Sequence, residues 1–232
     1  MDCVELNGLT QTYLDGKGEP FCALDHISLV WEAGHSIAMM GESGSGKSTL
    51  ARLMIGLEHP SGGAVKINGE NTARWSFTKW RNHRAKLQAV FQDAGGTLNP
   101  AWSTFRNVEE ALCNFTELSA AQRKKRVAEL MEQTGLGNEL LNIPVRRLSG
   151  GEQRRLALLR SLSIGPEFLI LDEVTAGLDL ISTESVLQLL ERYQREHDCS
   201  YLVITHDIEI ASRLCETIYE LEHGKLIRKA VR

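Results

Sequence analysis

The chain has 232 residues, 42% of them hydrophobic and 24% charged, which is enough for one large domain or two small lobes with a real core. Its net charge of −4 and lack of a basic stripe exclude a nucleic-acid footprint as a main function. Five scattered cysteines without a CxxC pair exclude a disulfide framework and a zinc site and fit a reducing compartment, and no apolar run reaches membrane-spanning length. The first residues, Met1-Asp2-Cys3-Val4-Glu5, carry no signal-peptide pattern.

In chain order, Val4–Tyr13 and Ala23–Trp31 alternate apolar and polar residues around the turn Asp15-Gly16-Lys17-Gly18, which predicts an antiparallel pair. Ser36–Met40 is a short apolar strand candidate, and Lys47–Leu57 has helical spacing at Leu50, Leu53, Met54 and Leu57. The turn Ser61-Gly62-Gly63 precedes a strand at Ala64–Ile67, and Leu87–Phe91 precedes the breaker Ala94-Gly95-Gly96. Helices are predicted at Val108–Phe115, Ala120–Thr134 and Gly151–Ser163, with Ser119 as an N-cap and Gly135 as a stop. The basic run Arg123-Lys124-Lys125-Arg126 reads as a solvated helix face. Phe168–Leu171 is apolar throughout, as in a strand buried on both faces. Ser182–Glu196, Ser200–Ile204, Asp207–Leu214 and a β-like stretch near Ile218–Ile227 complete an alternation of helix and strand. This order predicts an α/β fold with a parallel-rich sheet, a small antiparallel β flank and an inserted helical lobe.

Three strings carry chemistry. Gly41-Glu42-Ser43-Gly44-Ser45-Gly46-Lys47-Ser48, followed by Thr49, matches G-x-x-x-x-G-K-[ST] between a predicted strand and a predicted helix. Glycines let the backbone wrap a phosphate, and the helix N-terminus adds positive potential. Lys47 is then the candidate for the β- and γ-phosphates, and Ser48 for Mg²⁺. Phe168–Leu171 ends in Asp172 and Glu173, at the strand end where open α/β sheets bind ligands. Asp172 is the Mg²⁺ candidate and Glu173 the candidate to polarise the attacking water. Leu148-Ser149-Gly150-Gly151-Glu152-Gln153 offers a hydroxyl and amides before a helix, although Ser149 and Glu152 also have the spacing of a simple capping box.

In combination these motifs resemble the ATP-binding cassette (ABC) ATPases, whose signature is LSGGQ or LSGGE, over nearly the whole chain. The resemblance implies a P-loop NTPase core and one nucleotide-binding domain across 1–232, with a helical lobe at about 94–165. It also implies a role for Tyr13 as the aromatic that stacks on adenine, which is otherwise an ordinary strand tyrosine. Gln92 matches the Q-loop glutamine, Asp179 the D-loop aspartate and His206 the switch histidine at the γ-phosphate. Val174 and Ala176 stand where the family often has Pro and Ser. Neither change removes a catalytic group.

Phe91-Gln92-Asp93 and Thr97-Leu98-Asn99-Pro100 are similar to the Q-loop region of the oligopeptide, dipeptide and nickel importers, with Ala94 in place of a proline. The implied function is ATP hydrolysis, with ATP and Mg²⁺, powering import of peptides, nickel or metal chelates. The implied partners are transmembrane permease subunits and a second ABC ATPase subunit, on the inner face of the cell membrane. A permease helix would dock near Trp102, Phe105, Leu112 and Phe115, unless these fill the lobe's own core. The alternative function is a non-transport ABC ATPase in a soluble assembly complex. A chromosome-type protein would need a long coiled coil, and a translation factor would need tandem cassettes.

Overall fold

The computed structural model describes residues 1–93 and 95–231. Ala94, the substitute for the proline and the first residue of the expected lobe, lies outside them. The described residues form two compact units: one of residues 1–89, 167–172 and 198–232, the other of 90–166 and 173–197.

The first unit holds two sheets. Strands β1 (Cys3–Leu14) and β2 (Pro20–Glu32) pair antiparallel, and β4 (Gly62–Ile67) and the two-residue β5 (Glu70–Asn71) extend them in the order β2-β1-β4-β5. The hairpin is longer than its alternation predicts, because it runs on past Tyr13 and Ala23 into the exposed residues Leu14, Pro20, Phe21 and Cys22. The second sheet has the order β10-β9-β3-β8-β7-β6. It is built from β3 (Ile37–Met40), β6 (Leu87–Val90), β7 (Phe168–Asp172), β8 (Ser200–Ile204), β9 (Thr217–Glu222) and β10 (Lys225–Val231). β9, β3, β8 and β7 run parallel, and β10 is antiparallel on one edge. Every residue of β7 and β8 is buried, as a strand covered on both faces requires.

The stretch expected near Ile218–Ile227 is two strands joined at His223-Gly224. His223 (φ 46°) and Gly224 (φ 75°) both take the left-handed conformation that turns a tight hairpin. The two sheets meet through Trp31 of β2 and Phe168 of β7, both fully buried, in an edge-to-face contact with ring centroids 4.7 Å apart. The Trp31 indole N–H donates to the carbonyl of His35 at 3.0 Å, so the buried ring leaves no polar atom unpaired.

Helix α1 (Lys47–Met54) packs on β2 and β7. Helix α2 (Phe77–Arg84) was not legible in the sequence: it buries no residue and has no apolar stripe. Its N-cap is Ser76, and Trp80 lies over Gly56, where a Cβ would come within 2.3 Å of the indole. Trp75 closes the cluster edge-on to Trp80, with the Lys79 ammonium over its ring.

The second unit is helical. It contains α3 (Thr104–Phe115), α4 (Ala120–Gln133), α5 (Gly150–Ser163) and α6 (Leu180–His197). α3, α4 and α5 pack on one another through Val108, Leu112, Val127, Leu130, Leu156 and Leu159. α3 begins before its expected start because Ser103 caps it. Ser119 caps α4 with a complete capping box to Gln122. Leu112 is fully buried, which removes it from the expected docking groove and assigns it to the lobe's core, whereas Trp102, Phe105 and Phe115 are half-buried. The basic run lies on α4: Lys124 and Lys125 are exposed, and Arg123 pairs with Glu109 at 3.0 Å.

Candidate functional site

In the first unit, Gly41–Gly46 is the loop between β3 and α1. Two of its glycines are demanded by sterics as well as by φ. At Gly41 (φ 147°) a Cβ would fall 2.2 Å from the carbonyl oxygen of Leu221, and at Gly46 (φ 106°) 2.4 Å from that of Ala23. The loop is therefore threaded between β9 and β2 where any side chain would push it out. The Lys47 ammonium donates to the carbonyls of Gly41 (2.8 Å) and Glu42 (2.6 Å) and to the Ser45 hydroxyl (3.2 Å). The lysine thus folds back over the loop and fixes its curvature. Ser48 stands half-buried in the first turn of α1, and Thr49 is buried beside it.

Sheet register aligns the rest of this unit's candidates. Met39 of β3 is level with Ile204 of β8, and Ile204 with Asp172 of β7. The phosphate loop, the Thr205-His206 turn and Asp172 therefore leave one edge of the sheet together, at the strands' carboxyl ends. Asp172 is buried at 2% exposure, and His206 is exposed. Asp207 caps α7 (Ile208–Leu214).

A cleft of about 470 Å³ borders the loop, lined by Gly41–Ser45, by Phe21, Cys22 and Ala23, and by Glu220–Gly224. Tyr13 lies opposite Phe21 on the hairpin, and Phe21 is 53% exposed. Phe21 is a candidate that sequence reasoning missed. The signal was available, since a large apolar residue sits beside the turn, but its register to Tyr13 was not.

In the second unit, Glu173 takes φ 50°, a left-handed conformation that is uncommon for a residue with a side chain. Strain of this kind gathers at functional positions. The carbonyl of Glu173 accepts from the amide of Ala176 at 3.1 Å, which starts the turn toward Asp179. Asp179 accepts from the amide and the hydroxyl of Ser182 (2.9 and 2.8 Å), and the amide bond above all holds its carboxyl below the usual range. Arg154 of α5 donates to the carbonyl of Ala176, and a Cβ on Gly151 would sit 3.4 Å from Leu178. The Ser149–Gly151 segment and the Ala176–Asp179 turn are therefore neighbours. Gln92 is exposed, and Gln153 of α5 closes on Gly95, where a Cβ would lie 2.6 Å from its side-chain oxygen.

The capping box of α5 is formed. The Ser149 hydroxyl accepts from the amide of Glu152 (3.3 Å), while the Glu152 carboxylate accepts from the amide and hydroxyl of Ser149 (2.7 and 2.8 Å). The amide bond is the larger cause that lowers the Glu152 carboxyl pKa. A carboxylate with a lowered folded pKa stabilises the fold above its unfolded value, near 4.3, and loses that contribution as pH falls through the folded value. Ser149→Ala is expected to cost about 1 kcal/mol at pH 7. Its deficit should shrink below about pH 4, as read from urea unfolding at both pH values. A deficit that does not change with pH would contradict the assignment.

The chain matches the family model described as "ABC transporter" over residues 24–176. It is 36% identical over 217 residues to the Nickel import ATP-binding protein NikE of Rhodospirillum rubrum, covering 94% of this chain and 78% of that protein. To NikE of Escherichia coli (strain K12) it is 32% identical, covering all of this chain and 88% of that one. The chain belongs to the ABC transporter family. Among solved structures it matches the ATP-binding cassette MJ0796, in a dimeric post-hydrolysis state bound to ADP and Pi, with a TM-score of 0.90, 31% identity and 99% of each chain covered. It also matches cbiO1 of Clostridium perfringens, part of the ABC transporter complex cbiONQ, with a TM-score of 0.80, 30% identity and coverage of 98% and 88%.

As an ABC cassette, the chain is an ATP-binding ATPase. No described helix is long and apolar enough to cross a membrane. Among the described residues no group of three or more His, Cys, Asp or Glu side chains could hold a metal.

Proposed function

We propose that this chain is the ATP-hydrolysing subunit of a membrane ABC importer, with nickel or a nickel-like chelate ahead of peptides as the transported class. The observation that carries the reading is the 32–36% identity to nickel import ATP-binding proteins across nearly the whole chain. Its sites follow by class. Glycines 41, 44 and 46, with the amides of Glu42, Ser43 and Ser45, wrap the phosphates, and Lys47 neutralises the β and γ groups. Ser48, Gln92 and Asp172 are the protein side of Mg²⁺, which when bound screens the phosphate charge. Tyr13 carries the base.

Two cassettes meet head to tail. Ser149, Gly150 and Gly151 of one cap the nucleotide held by the other, with Asp179 beside them. Glu173 takes the proton from the attacking water, and His206 donates to the γ-phosphate. The pairing of two cassettes draws support from the dimeric MJ0796 cassette. Membership of a transporter complex draws support from cbiO1, part of the ABC transporter complex cbiONQ; transmembrane permease subunits and a place on the inner face of the membrane belong to the same proposal. Residues 94–165 act as the helical lobe of one nucleotide-binding domain. Trp102, Phe105 and Phe115 are the remaining candidates for its permease contact.

The test is affinity purification from solubilised membranes under ATP, followed by radiolabelled nickel uptake in cells that carry either wild type or Glu173→Gln. Permease subunits should co-purify, and uptake should be lost in the variant. Recovery of soluble partners alone would favour an assembly-complex role, and unchanged nickel uptake beside impaired peptide uptake would reassign the substrate.

A further inference from the structure

The far end of Tyr13 is tethered, and the tether leads back to the phosphate loop's helix. The Tyr13 hydroxyl donates to Oε2 of Glu58, in the loop after α1. The other oxygen of the same carboxylate, Oε1, accepts from Nε of Arg52 at 2.6 Å. Arg52 lies on α1, and its Nη2 reaches Oγ1 of Thr49 at 3.5 Å. Thr49 is the immediate neighbour of Ser48. A continuous path of side chains therefore joins the aromatic ring on β1 to the first turn of the helix that follows Gly46.

The backbone on either side of this path is stapled as well. The side-chain oxygen of Gln11, 7% exposed, accepts from the amide of Ser61 at 3.0 Å, and the amide of Thr12 donates to the Ser61 hydroxyl at 3.1 Å. The end of β1 and the loop that carries Glu58 thus move as one piece.

We propose that Glu58 and Arg52 are positioning residues for the nucleotide base. They hold the axis of the Tyr13 ring at a fixed place relative to the phosphate loop. The proposal rests on the reading of Tyr13 as the base platform and goes beyond it. A ring on a hairpin whose tip is exposed would otherwise sample several rotamers, and freezing it on binding would cost affinity. A bond at the para hydroxyl acts at the end of the longest lever on the side chain. Phe21 stands directly opposite Tyr13 on the ladder and on the same face. The Arg52 and Glu58 side chains are 40% and 28% exposed, so their ion pair is screened and adds little to fold stability. Its consequence belongs in nucleotide binding.

The experiment is calorimetric titration of the full-length protein with ATP and, separately, with inorganic triphosphate, which has phosphates and no base. Tyr13→Ala should weaken ATP about tenfold and leave triphosphate unchanged, within the range expected for losing one stacked base. Glu58→Ala and Tyr13→Phe each remove the tether while keeping the ring. Each should weaken ATP about three- to tenfold, with triphosphate unchanged, KM raised and kcat held. Glu58→Gln keeps an acceptor for the hydroxyl and should recover most of the affinity.

If Tyr13→Ala weakens ATP but Glu58→Ala and Tyr13→Phe bind it like wild type, the tether is overturned and the base platform stands. If Tyr13→Ala itself binds ATP like wild type, the platform reading fails, and the tether falls with it. Equal weakening toward ATP and triphosphate would mean a general structural role and would also overturn the proposal. Should Glu58→Ala misfold, Tyr13→Phe removes the same bond without touching the ion pair.

Discussion

Glu173→Gln should bind ATP with wild-type affinity and hydrolyse it about 10²- to 10⁴-fold more slowly, the range for losing a general base. The amide matches the carboxylate in size, so the turn that begins at φ 50° is kept, together with the bond from Ala176. What is lost is basicity: a glutamine cannot take a proton from water. Bound nucleotide should then persist, and the closed two-cassette form should accumulate on gel filtration in ATP. Wild-type turnover in this variant would remove Glu173 from the chemistry. Glu173→Gly is a useful contrast. Glycine is more at ease with positive φ, so a fold as stable as wild type together with lost activity would separate strain from catalysis.

Lys47→Ala should abolish most ATP binding. The ammonium holds three oxygens of the loop and is the positive charge placed for the nucleotide's own phosphates. A hydrogen bond to a charged group contributes about 1.5–3 kcal/mol. Loss of even one such contact corresponds to about a ten- to hundredfold weaker complex. The loop loses its internal brace in the same step, so the effect should lie at the upper end. Lys47→Arg should restore little, because a planar fork does not replace a compact ammonium among three converging oxygens. Titration calorimetry reads both variants, and tight binding by Lys47→Ala would refute the assignment.

The phosphate loop was legible because its constraint is local: glycines, one lysine and a strand-to-helix change lie within a dozen residues. The buried strands β7 and β8 were legible because uninterrupted apolar runs have few other uses. α2 was not, since its stability comes from Trp80 resting on Gly56 rather than from a repeat along its own sequence. The β9–β10 hairpin merged into one stretch because its turn takes only His223 and Gly224, of which Gly224 alone is a usual turn residue. Leu112 looked like either groove or core, and only its burial decides. Phe21 and Glu58 depend on which strand lies beside which, and no spacing along one chain encodes that. The strain at Glu173 is likewise invisible in the letters, although the acidic pair that contains it was not.

The neighbours of β3 set a limit on when this protein can come into being during synthesis. β3, which leads into the phosphate loop, is flanked by β8 and β9, with Ile37 paired to Leu202 on one side and to Thr217 on the other. Gly41 is held in place by the carbonyl of Leu221. The hairpin of β1 and β2 can form early from nearby residues, but β3, in the other sheet, waits for β8 and β9, which lie far along the chain. Long-range parallel pairing of this kind is slow and leaves hydrophobic edges exposed meanwhile. A ribosome that stalls before residue 200 would release a chain that carries every letter of the phosphate motif and neither of the strands that flank β3.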